Sequence, residues 1–270
     1  MNQLLKLKGR LEKAAAAFEG VMGIAVKDLT SSDEIGVDWD ERFLAASSIK
    51  IPILIELFRK AKEGAVNLEE RVTVGDDVKV GGTGVLKEFG DGTATLALSD
   101  LASLMITVSD NTATNILIDV VGMEDVNRLI EDIGLTTTRL LRKMQDSEAS
   151  AKGRENYATP REFMELMGAL HAGKGIDPWV SEQTLSVLMK PKTSAINRLL
   201  PYQVKAASKY GTMRDSYCDV GIVYTPDGPY VLSVMTKEIP DDDVRKQRTI
   251  DEISKVSRMV FDHFDSYSRS

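Results

Sequence analysis

The sequence has one cysteine, two histidines and few aromatic side chains (6%). A lone Cys218 excludes an intramolecular disulfide, and one thiol cannot supply a zinc or iron–sulfur cage. The histidines, His171 and His263, fall at predicted helix ends or on the terminal helix, a placement that disfavours a Ser-His-Asp triad. No cluster of metal-ligating side chains is visible, so we expect neither a metal nor another cofactor.

Long apolar runs and an excess of positive charge are also missing. No stretch approaches the roughly 20 apolar residues that span a bilayer, so we predict no membrane span. Lysine and arginine number 34 against 41 aspartates and glutamates, and this net charge of −7 disfavours nucleic acid as a partner. Residues 1–13 are charged and lack the apolar centre of a signal peptide. The sequence as written predicts a cytoplasmic protein, or an extracytoplasmic one if a signal was removed.

Hydrophobic periodicity predicts strands near both ends of the chain and helices between them. Hydrophobic residues make up 43% and charged residues 28% of the 270, which is typical of a globular protein. The predicted strands are residues 21–28, 34–37, 204–209, 219–225 and 230–237. The predicted helices are residues 2–18, 47–60, 99–108, 111–121, 124–133 and 244–264. This order indicates one sheet built from the two termini, packed against an inserted helical region.

Residues 134–158 are polar and weakly periodic, which predicts a long loop that is either functional or mobile. The loop ends at Thr159, an N-cap residue followed by Pro160 at the first helical position and by Glu162 three residues after the cap. We therefore predict a helix that begins there and runs to about Leu170.

Ser47 and Lys50 place a hydroxyl and an amine three residues apart at the start of an apolar helix. Side chains at this spacing share a face, with Cβ atoms roughly 5–6 Å apart, so they can touch. Nearby backbone N–H groups would favour negative charge on a bound substrate oxygen. Burial beside Ile51 and Ile53 would disfavour the ammonium form of Lys50 and let it act as a base. The alternative is a helix cap followed by a surface lysine.

Three other motifs stand out in the sequence. Ser-Asp-Asn at residues 109–111 lies between two predicted helices and could project a hydroxyl and an amide into a cleft, although all three residue types also favour helix starts. Lys-Tyr-Gly at residues 209–211 ends a predicted strand, and its glycine would let a substrate lie close to the backbone. Gly-Gly-Thr-Gly at residues 81–84 lacks the Lys-Ser/Thr of a phosphate loop, so it predicts a turn.

In this order, Ser-x-x-Lys, Ser-Asp-Asn about sixty residues later and Lys-x-Gly on a late strand resemble the class A β-lactamases and penicillin-recognising serine hydrolases. The signature of that family is Ser-x-x-Lys, Ser-Asp-Asn and Lys-Thr-Gly. The resemblance covers nearly the whole chain, because residues 43–50, 104–115 and 219–223 also look like the family's local sequences. It implies an α/β (α+β) fold with an antiparallel sheet from both termini and an inserted all-helical subdomain.

The implied organisation is a single β-lactamase-like domain over residues 1–270. Its α/β part would comprise residues 1–40 and 191–270, and its helical part residues 41–190. The resemblance implies an active site in the cleft between these two parts.

The resemblance also implies catalytic roles. Ser47 would be the nucleophile, and Lys50 would take its proton, alone or through water. Ser109 would relay a proton to the leaving nitrogen. The backbone N–H groups of Ser47 and Thr212 would form the oxyanion hole, in which one donor is typically worth about 3 kcal/mol.

The implied substrate-binding residues are Asn111 and the run from Lys209 to Thr212. Asn111 would bind the side-chain amide of the substrate, and Lys209 would attract its carboxylate. Tyr210 departs from the family, which usually has a Thr or Ser that donates a short hydroxyl to that carboxylate. A phenol would donate from farther away, or its ring would fill that subsite.

A second departure concerns deacylation. Counting from Thr-Arg-Leu at residues 138–140 puts Met144 where these β-lactamases have a glutamate that activates the water freeing the acylated serine. A thioether cannot act as a base at neutral pH. Glu148 falls four residues later, with Asp146 between. We hypothesise that Glu148 replaces the missing base or that deacylation is slow; alternatively, Glu148 is a solvated loop carboxylate.

The resulting prediction is a serine hydrolase that cleaves a β-lactam amide through a Ser47 acyl-enzyme, with a small-molecule lactam, acyl or peptidyl substrate. A penicillin-binding D-alanyl peptidase or esterase with a slowly released acyl group is the second reading. A non-catalytic module that binds peptidoglycan fragments or lactams is the third. Binding alone would not require a nucleophile beside a base, which disfavours the third reading.

Overall fold

The computed structural model describes residues 2–240 and 242–265. Two compact units account for the chain, and each is assembled from separate stretches of sequence. The first comprises Met1–Ser48, Tyr157–Ala172 and Thr193–Ser270, and the second comprises Ile49–Asn156 and Gly173–Lys192. The division at residues 41 and 190 suggested by the sequence stays a prediction.

The first unit contains a five-stranded antiparallel sheet. Its strands are β1 (Val21–Asp28), β2 (Glu34–Val37), β7 (Lys205–Thr212), β8 (Tyr217–Thr225) and β9 (Gly228–Lys237). Their order is β2-β1-β9-β8-β7, so strands from opposite ends of the chain are neighbours. The predicted antiparallel sheet from both termini is therefore confirmed. Two short strands, β3 (Phe43–Leu44) and β6 (Tyr157–Ala158), pair separately.

The core of this unit follows from the period-two pattern of its strands. Alternate residues of β9, namely Tyr230, Leu232 and Val234, join one hydrophobic cluster with residues of α1 (Asn2–Ala17) and α9 (Asp243–Asp265). Each fully buried aliphatic side chain of this kind contributes about 1.5–3 kcal/mol relative to exposure. Helices α1 and α9 thus pack on one face of the sheet that contains β7.

A third helix of the first unit, α7 (Pro160–Ala172), begins where the sequence predicted it. The N–H of Glu162 donates to Oγ1 of Thr159 at 3.1 Å, which confirms the N-cap. Proline is tolerated at the first helical position because its missing N–H has no partner there anyway.

The second unit is mainly helical. It holds α2 (Lys50–Lys62), α3 (Leu98–Thr107), α4 (Asn111–Val121), α5 (Met123–Asp132), α6 (Ser147–Ala151), α8 (Pro178–Leu188) and the hairpin of β4 (Arg71–Val74) with β5 (Ala94–Ala97). The first nine residues of α2 are all buried, and the helix packs against α3, α4, α5 and α8. A helix covered on every side forms the centre of its unit.

Several elements of the structure differ from the prediction. The predicted loop at residues 134–158 contains α6, and its last two residues form β6. The hairpin β4–β5 and helix α8 were not predicted, although α8 has a clear start signal. The carboxylate of Asp177 caps it by accepting from the N–H groups of Trp179 and Val180, and Pro178 follows the cap.

Two kinds of feature are absent from the residues that the structure describes. Within 2–240 and 242–265, no helix combines the length and apolar character needed to cross a membrane. The same residues contain no group of three or more histidine, cysteine, aspartate or glutamate side chains arranged to hold a metal ion.

Candidate active site

Ser47 lies in a 3-10 turn, Ala46–Ile49, that runs directly into α2. The predicted α-helix therefore begins three residues late, at Lys50. Ala46 has φ of 44°, a left-handed conformation that non-glycine residues rarely adopt and that clusters at functional sites. The neighbouring Ser48 is buried, and its hydroxyl donates a hydrogen bond to the carbonyl oxygen of Ala45 at 2.5 Å, whereas Ser47 is partly exposed. The structure thus gives the two adjacent serines different environments, which the Ser-x-x-Lys pattern does not predict.

Strand β7 presents its Lys-Tyr-Gly run beside that turn, within the first unit. A Cβ on Gly211 would lie 2.5 Å from the backbone nitrogen of Ser47 and 2.9 Å from Sγ of Cys218. Only glycine permits this approach without a shift of the backbone. Because β7 ends the sheet, the edge of the strand away from β8 carries backbone groups that no neighbouring strand of the sheet uses. Such an edge can pair with an extended substrate.

Lys209 is fully buried on β7. Its Nζ donates to the carbonyl oxygen of Tyr210 at 2.7 Å and lies 4.3 Å from the centre of the Tyr210 ring. The Tyr210 ring in turn stacks on Tyr217, with centroids 6.2 Å apart. Burial raises the pKa of the Tyr210 phenol, which therefore remains a hydrogen-bond donor at neutral pH. The ring of Tyr210 is part of the packing around Lys209, and its role toward a substrate stays a prediction.

In the second unit, Lys50 joins the Ser-Asp-Asn segment. The fully buried Nζ of Lys50 donates to the carbonyl oxygen of Ser109 at 2.8 Å, to Oγ of Ser109 at 3.0 Å and to Oδ1 of Asn111 at 3.0 Å. Two of these acceptors are carbonyl oxygens, which can only accept, whereas the hydroxyl can also donate. Among these three acceptors, the serine hydroxyl is therefore the one that can exchange a proton with the lysine.

Asp110, the middle residue of that segment, is the cap of α4. Its Oδ1 accepts from the N–H of Ala113 at 2.9 Å, and its Oδ2 accepts from the N–H groups of Val85 and Leu86 at 2.7 and 2.9 Å. Ser109 has φ of 55°, a second non-glycine residue in the left-handed region. The cap interpretation thus holds for Asp110, while Ser109 and Asn111 turn their side chains to Lys50.

Met144 is held in place by Asn115 of α4. Nδ2 of Asn115 donates to the carbonyl oxygen of Met144 at 3.0 Å, and Oδ1 accepts from its N–H at 2.8 Å. The methionine side chain is buried. Because both of its backbone groups are hydrogen-bonded, the backbone of Met144 has a defined position. The buried thioether therefore extends from a fixed point of the chain.

Glu148 lies in the first turn of α6. Its side chain is 80% exposed, and its carboxylate accepts from Nζ of Lys152 at 2.5 Å. The structure brings Lys50, Ser109 and Asn111 together, whereas it places Glu148 on a solvated helix surface in an i,i+4 ion pair. Its assignment as a replacement base stays a prediction.

These side chains sit in a fold shared with known enzymes. A sequence profile of the beta-lactamase enzyme family matches residues 6–264. The chain belongs to the β-lactamase enzyme family. This match confirms the resemblance found in the motifs and, with it, the predicted enzyme class.

Three similar proteins illustrate how far this family likeness extends. The crystal structure of a β-lactamase from Sphaerobacter thermophilus is 32% identical, with a TM-score of 0.86 and 96% and 97% of the two chains covered. A leucine-to-glutamate variant of PBP-A, solved as an acyl-enzyme complex with penicillin G, is 30% identical, with a TM-score of 0.87 and 97% of both chains covered. Beta-lactamase 1 of Streptomyces cacaoi is 28% identical over 246 residues, which cover 84% of this chain and 74% of the relative.

Two buried groups beside β7 of this β-lactamase family member were missed by sequence reasoning. Cys218 pairs with Gly211 across β7 and β8, and its Sγ lies 3.3 Å from the carbonyl oxygen of Ala45. Burial raises the pKa of its thiol to about 11, so Cys218 is not a nucleophile at neutral pH. Asp219 pairs with Tyr210 across the same strands and is fully buried. No local signal distinguished either residue from an ordinary strand position.

The carboxylate of Asp219 fastens the segment that precedes β7. Its Oδ2 accepts from Oγ of Ser194 at 2.7 Å and from the N–H of Ile196 at 3.1 Å. Burial raises the pKa of Asp219 to about 6 despite these hydrogen bonds. The charged carboxylate is therefore tolerated at neutral pH only at a cost in free energy.

This cost predicts a pH-dependent stability that Asp219→Asn should remove. The folded chain binds the proton of Asp219 more tightly than the unfolded chain, so its contribution to stability is lost as pH rises from about 4 to about 6. Integrated over the window, the loss approaches about 3 kcal/mol. Urea unfolding at several pH values should show that the free energy of unfolding of the parent falls across this pH range, relative to that of Asp219→Asn. Parallel pH profiles for the two proteins would contradict the assignment.

Proposed function

We propose that this member of the β-lactamase family opens β-lactam rings by acyl transfer to Ser47, and that Met144 makes release of the acyl group slow. One observation carries the proposal: a fully buried lysine bonded to both Ser109 and Asn111. Burial of an ammonium ion is costly in free energy, so a fully buried lysine indicates a function that compensates for this cost. Acid–base chemistry at a neighbouring serine is such a function.

In the acylation step, Oγ of Ser47 bonds to the lactam carbonyl carbon and the ring C–N bond breaks. Lys50, as the neutral amine, takes the proton of Ser47. Ser109 gives its hydroxyl proton to the leaving nitrogen and regains one from the resulting Lys50 ammonium, so in net one proton passes from Ser47 to the nitrogen. The direct Lys50 to Ser109 hydrogen bond of 3.0 Å supports this route. Lys209 would attract the substrate carboxylate.

The partly negative carbonyl oxygen would be stabilised by the backbone N–H groups of Ser47 and Thr212. The close approach of Gly211 to the Ser47 nitrogen supports this pairing of turn and strand. Such donors act where charge develops in the transition state, and each is typically worth about 3 kcal/mol.

The deacylation step lacks the family's glutamate. Met144 cannot activate water, and the exposed Glu148 already pairs with Lys152. We therefore propose that hydrolysis of the Ser47 ester is slow. The similarity to PBP-A favours the second candidate, a penicillin-binding D-alanyl peptidase or esterase that releases its own acyl group faster than a lactam. The PBP-A variant was solved as an acyl-enzyme with penicillin G, which supports covalent capture by this family.

Incubation of the full chain with a penicillin tests the proposal, with intact mass followed over time. We expect a mass increase equal to one intact penicillin, because ring opening loses no atoms, and we expect it to persist after excess drug is removed. A short-lived adduct with rapid drug consumption would point to an efficient β-lactamase. Absence of an adduct with lactams, esters and D-alanyl peptides alike would reject the proposal and leave a binding module.

A further inference from the structure

The glycine-rich segment at residues 81–84, which the sequence predicts as a simple turn, lies against the Ser-Asp-Asn segment. Nδ2 of Asn111 donates to the carbonyl oxygen of Gly81 at 3.1 Å. A Cβ on Gly82, which has φ of 79°, would lie 2.5 Å from Nδ2 of Asn111. A Cβ on Gly84 would overlap the carboxylate of Asp110. The glycines therefore allow the segment to lie directly on the Ser-Asp-Asn segment.

Thr83 makes two hydrogen bonds at the centre of this contact. Its Oγ1 donates to the carbonyl oxygen of Ser109 at 2.7 Å, and its own carbonyl oxygen accepts from the N–H of Asn111 at 3.0 Å. Just beyond, the N–H groups of Val85 and Leu86 donate to Asp110. One short segment thus holds all three residues of the Ser-Asp-Asn motif.

The carbonyl oxygen of Ser109 is shared by two donors, Thr83 Oγ1 and Lys50 Nζ. These two bonds fix the peptide that follows Ser109, whose φ of 55° is unfavourable for a serine. Strained backbone of this kind persists only where surrounding contacts hold it. Loss of the Thr83 hydroxyl would remove one of these two donors and loosen the orientation of the Ser109 hydroxyl.

We propose that Thr83 is a positioning residue that orients Ser109 for delivery of a proton to the leaving nitrogen. The inference rests on the proposed function, since it assigns a task within that acylation step. Misplacement of a catalytic group by about 1 Å can cost about a hundredfold in rate. We expect the loss of one anchoring hydrogen bond to cost about tenfold or more in acylation.

The test compares Thr83→Val, which keeps the shape but removes the hydroxyl, with Thr83→Ser, which keeps the hydroxyl. Thr95→Val is the matched control, because Thr95 also hydrogen-bonds through its hydroxyl but pairs with Thr73 on the hairpin. Each protein is acylated with a penicillin and, separately, with a thioester, and rates are read by intact mass. Thermal unfolding of each protein is measured in parallel.

A thiolate leaves without needing a proton, so a defect in proton delivery should slow the lactam far more than the thioester. We expect Thr83→Val to lose about tenfold or more with penicillin and less than about threefold with the thioester. Thr83→Ser and Thr95→Val should stay close to the parent. If Thr83→Val lost acylation rate equally with both substrates, or lost none with penicillin, the positioning role of Thr83 would be overturned. A penicillin adduct of the parent would still uphold the proposed function in that case. A parent that reacts with neither substrate would overturn both. If Thr83→Val is unfolded, the comparison is made with Thr83→Ala.

Discussion

Met144→Glu should shorten the lifetime of the penicillin acyl-enzyme by about a hundredfold or more, since a positioned general base typically contributes 10²–10⁴-fold. The backbone at this position is held by the two hydrogen bonds that Asn115 makes with the N–H and the carbonyl oxygen of Met144. A carboxylate attached to that backbone would therefore have a defined place from which to activate water. The measurement is the decay of the adduct by intact mass, together with steady-state penicillin hydrolysis.

The matched control is Met144→Gln, which has nearly the same size and polarity but cannot accept a proton at neutral pH. We expect its acyl-enzyme to last as long as that of the parent. Equal acceleration by Gln and Glu would show that loss of the thioether, rather than gain of a base, speeds hydrolysis. No acceleration by Glu would show that the slow step does not depend on a base at this position.

Glu148→Gln separates the two explanations of any residual turnover. If Glu148 supplies the missing base, turnover of the parent should fall on this substitution; if Glu148 is a surface carboxylate, turnover should not change. Its 80% exposure and its pairing with Lys152 lead us to expect no change. A surface ion pair at i,i+4 is worth only about 0.3–0.5 kcal/mol, so the variant should remain folded.

Ser47→Ala should abolish the penicillin adduct completely, because the proposed ester has no oxygen on which to form. Steady-state hydrolysis should fall by several orders of magnitude, since covalent catalysis requires the nucleophile itself. The partial exposure of Ser47 and the approach of Gly211 to its backbone nitrogen are the features behind this expectation. Intact mass after prolonged incubation with a penicillin provides the measurement.

Ser48→Ala is the control for Ser47→Ala, because it removes a hydroxyl from the adjacent residue. Ser48 is buried and donates to the carbonyl oxygen of Ala45, so we expect a loss of stability of about 1 kcal/mol but an intact adduct. An adduct that survives in Ser47→Ala and disappears in Ser48→Ala would reassign the nucleophile. Peptide mapping of the labelled parent would locate the acylated serine directly.

Tyr210 raises a separate question about substrate preference. Its half-buried ring covers Lys209 and stacks on Tyr217, and this arrangement keeps the lysine charge next to an aromatic face. The family's usual Thr or Ser is much smaller. Under the proposed function, a substrate carboxylate attracted by Lys209 would lie beside this phenol rather than beside a small hydroxyl.

The motifs were readable in the sequence because they depend on local chemistry. Ser-x-x-Lys opens an apolar helix, and the N-cap at Thr159 follows a fixed pattern of residue types, so both could be located without coordinates. Strand periodicity likewise indicated a sheet from both termini. By contrast, α6 is only five residues long, and each strand of the hairpin β4–β5 has only four residues, so neither gave a strong periodic signal.

The exposure of each hydroxyl could not be read in the same way. The Ser-x-x-Lys spacing selects Ser47 but does not reveal its exposure, and burial of Ser48 follows from strands that lie about 170 residues away. The same is true of Asp219, whose pKa depends on burial by distant segments. Long-range packing decides these properties because it sets the local dielectric and the hydrogen-bond partners.

The sequence by itself predicted the family and the α/β class, which are confirmed, and it yielded the proposal of which residues act as nucleophile, base and proton relay, because motifs are recognised by residue type and spacing along the chain. The tertiary structure alone decided that Lys50 meets Ser109 and Asn111, that Glu148 points to solvent, and that Thr83 holds the Ser-Asp-Asn segment. Hydrogen bonds between residues 26 to 61 positions apart require the folded backbone to bring them together. No local pattern encodes those distances.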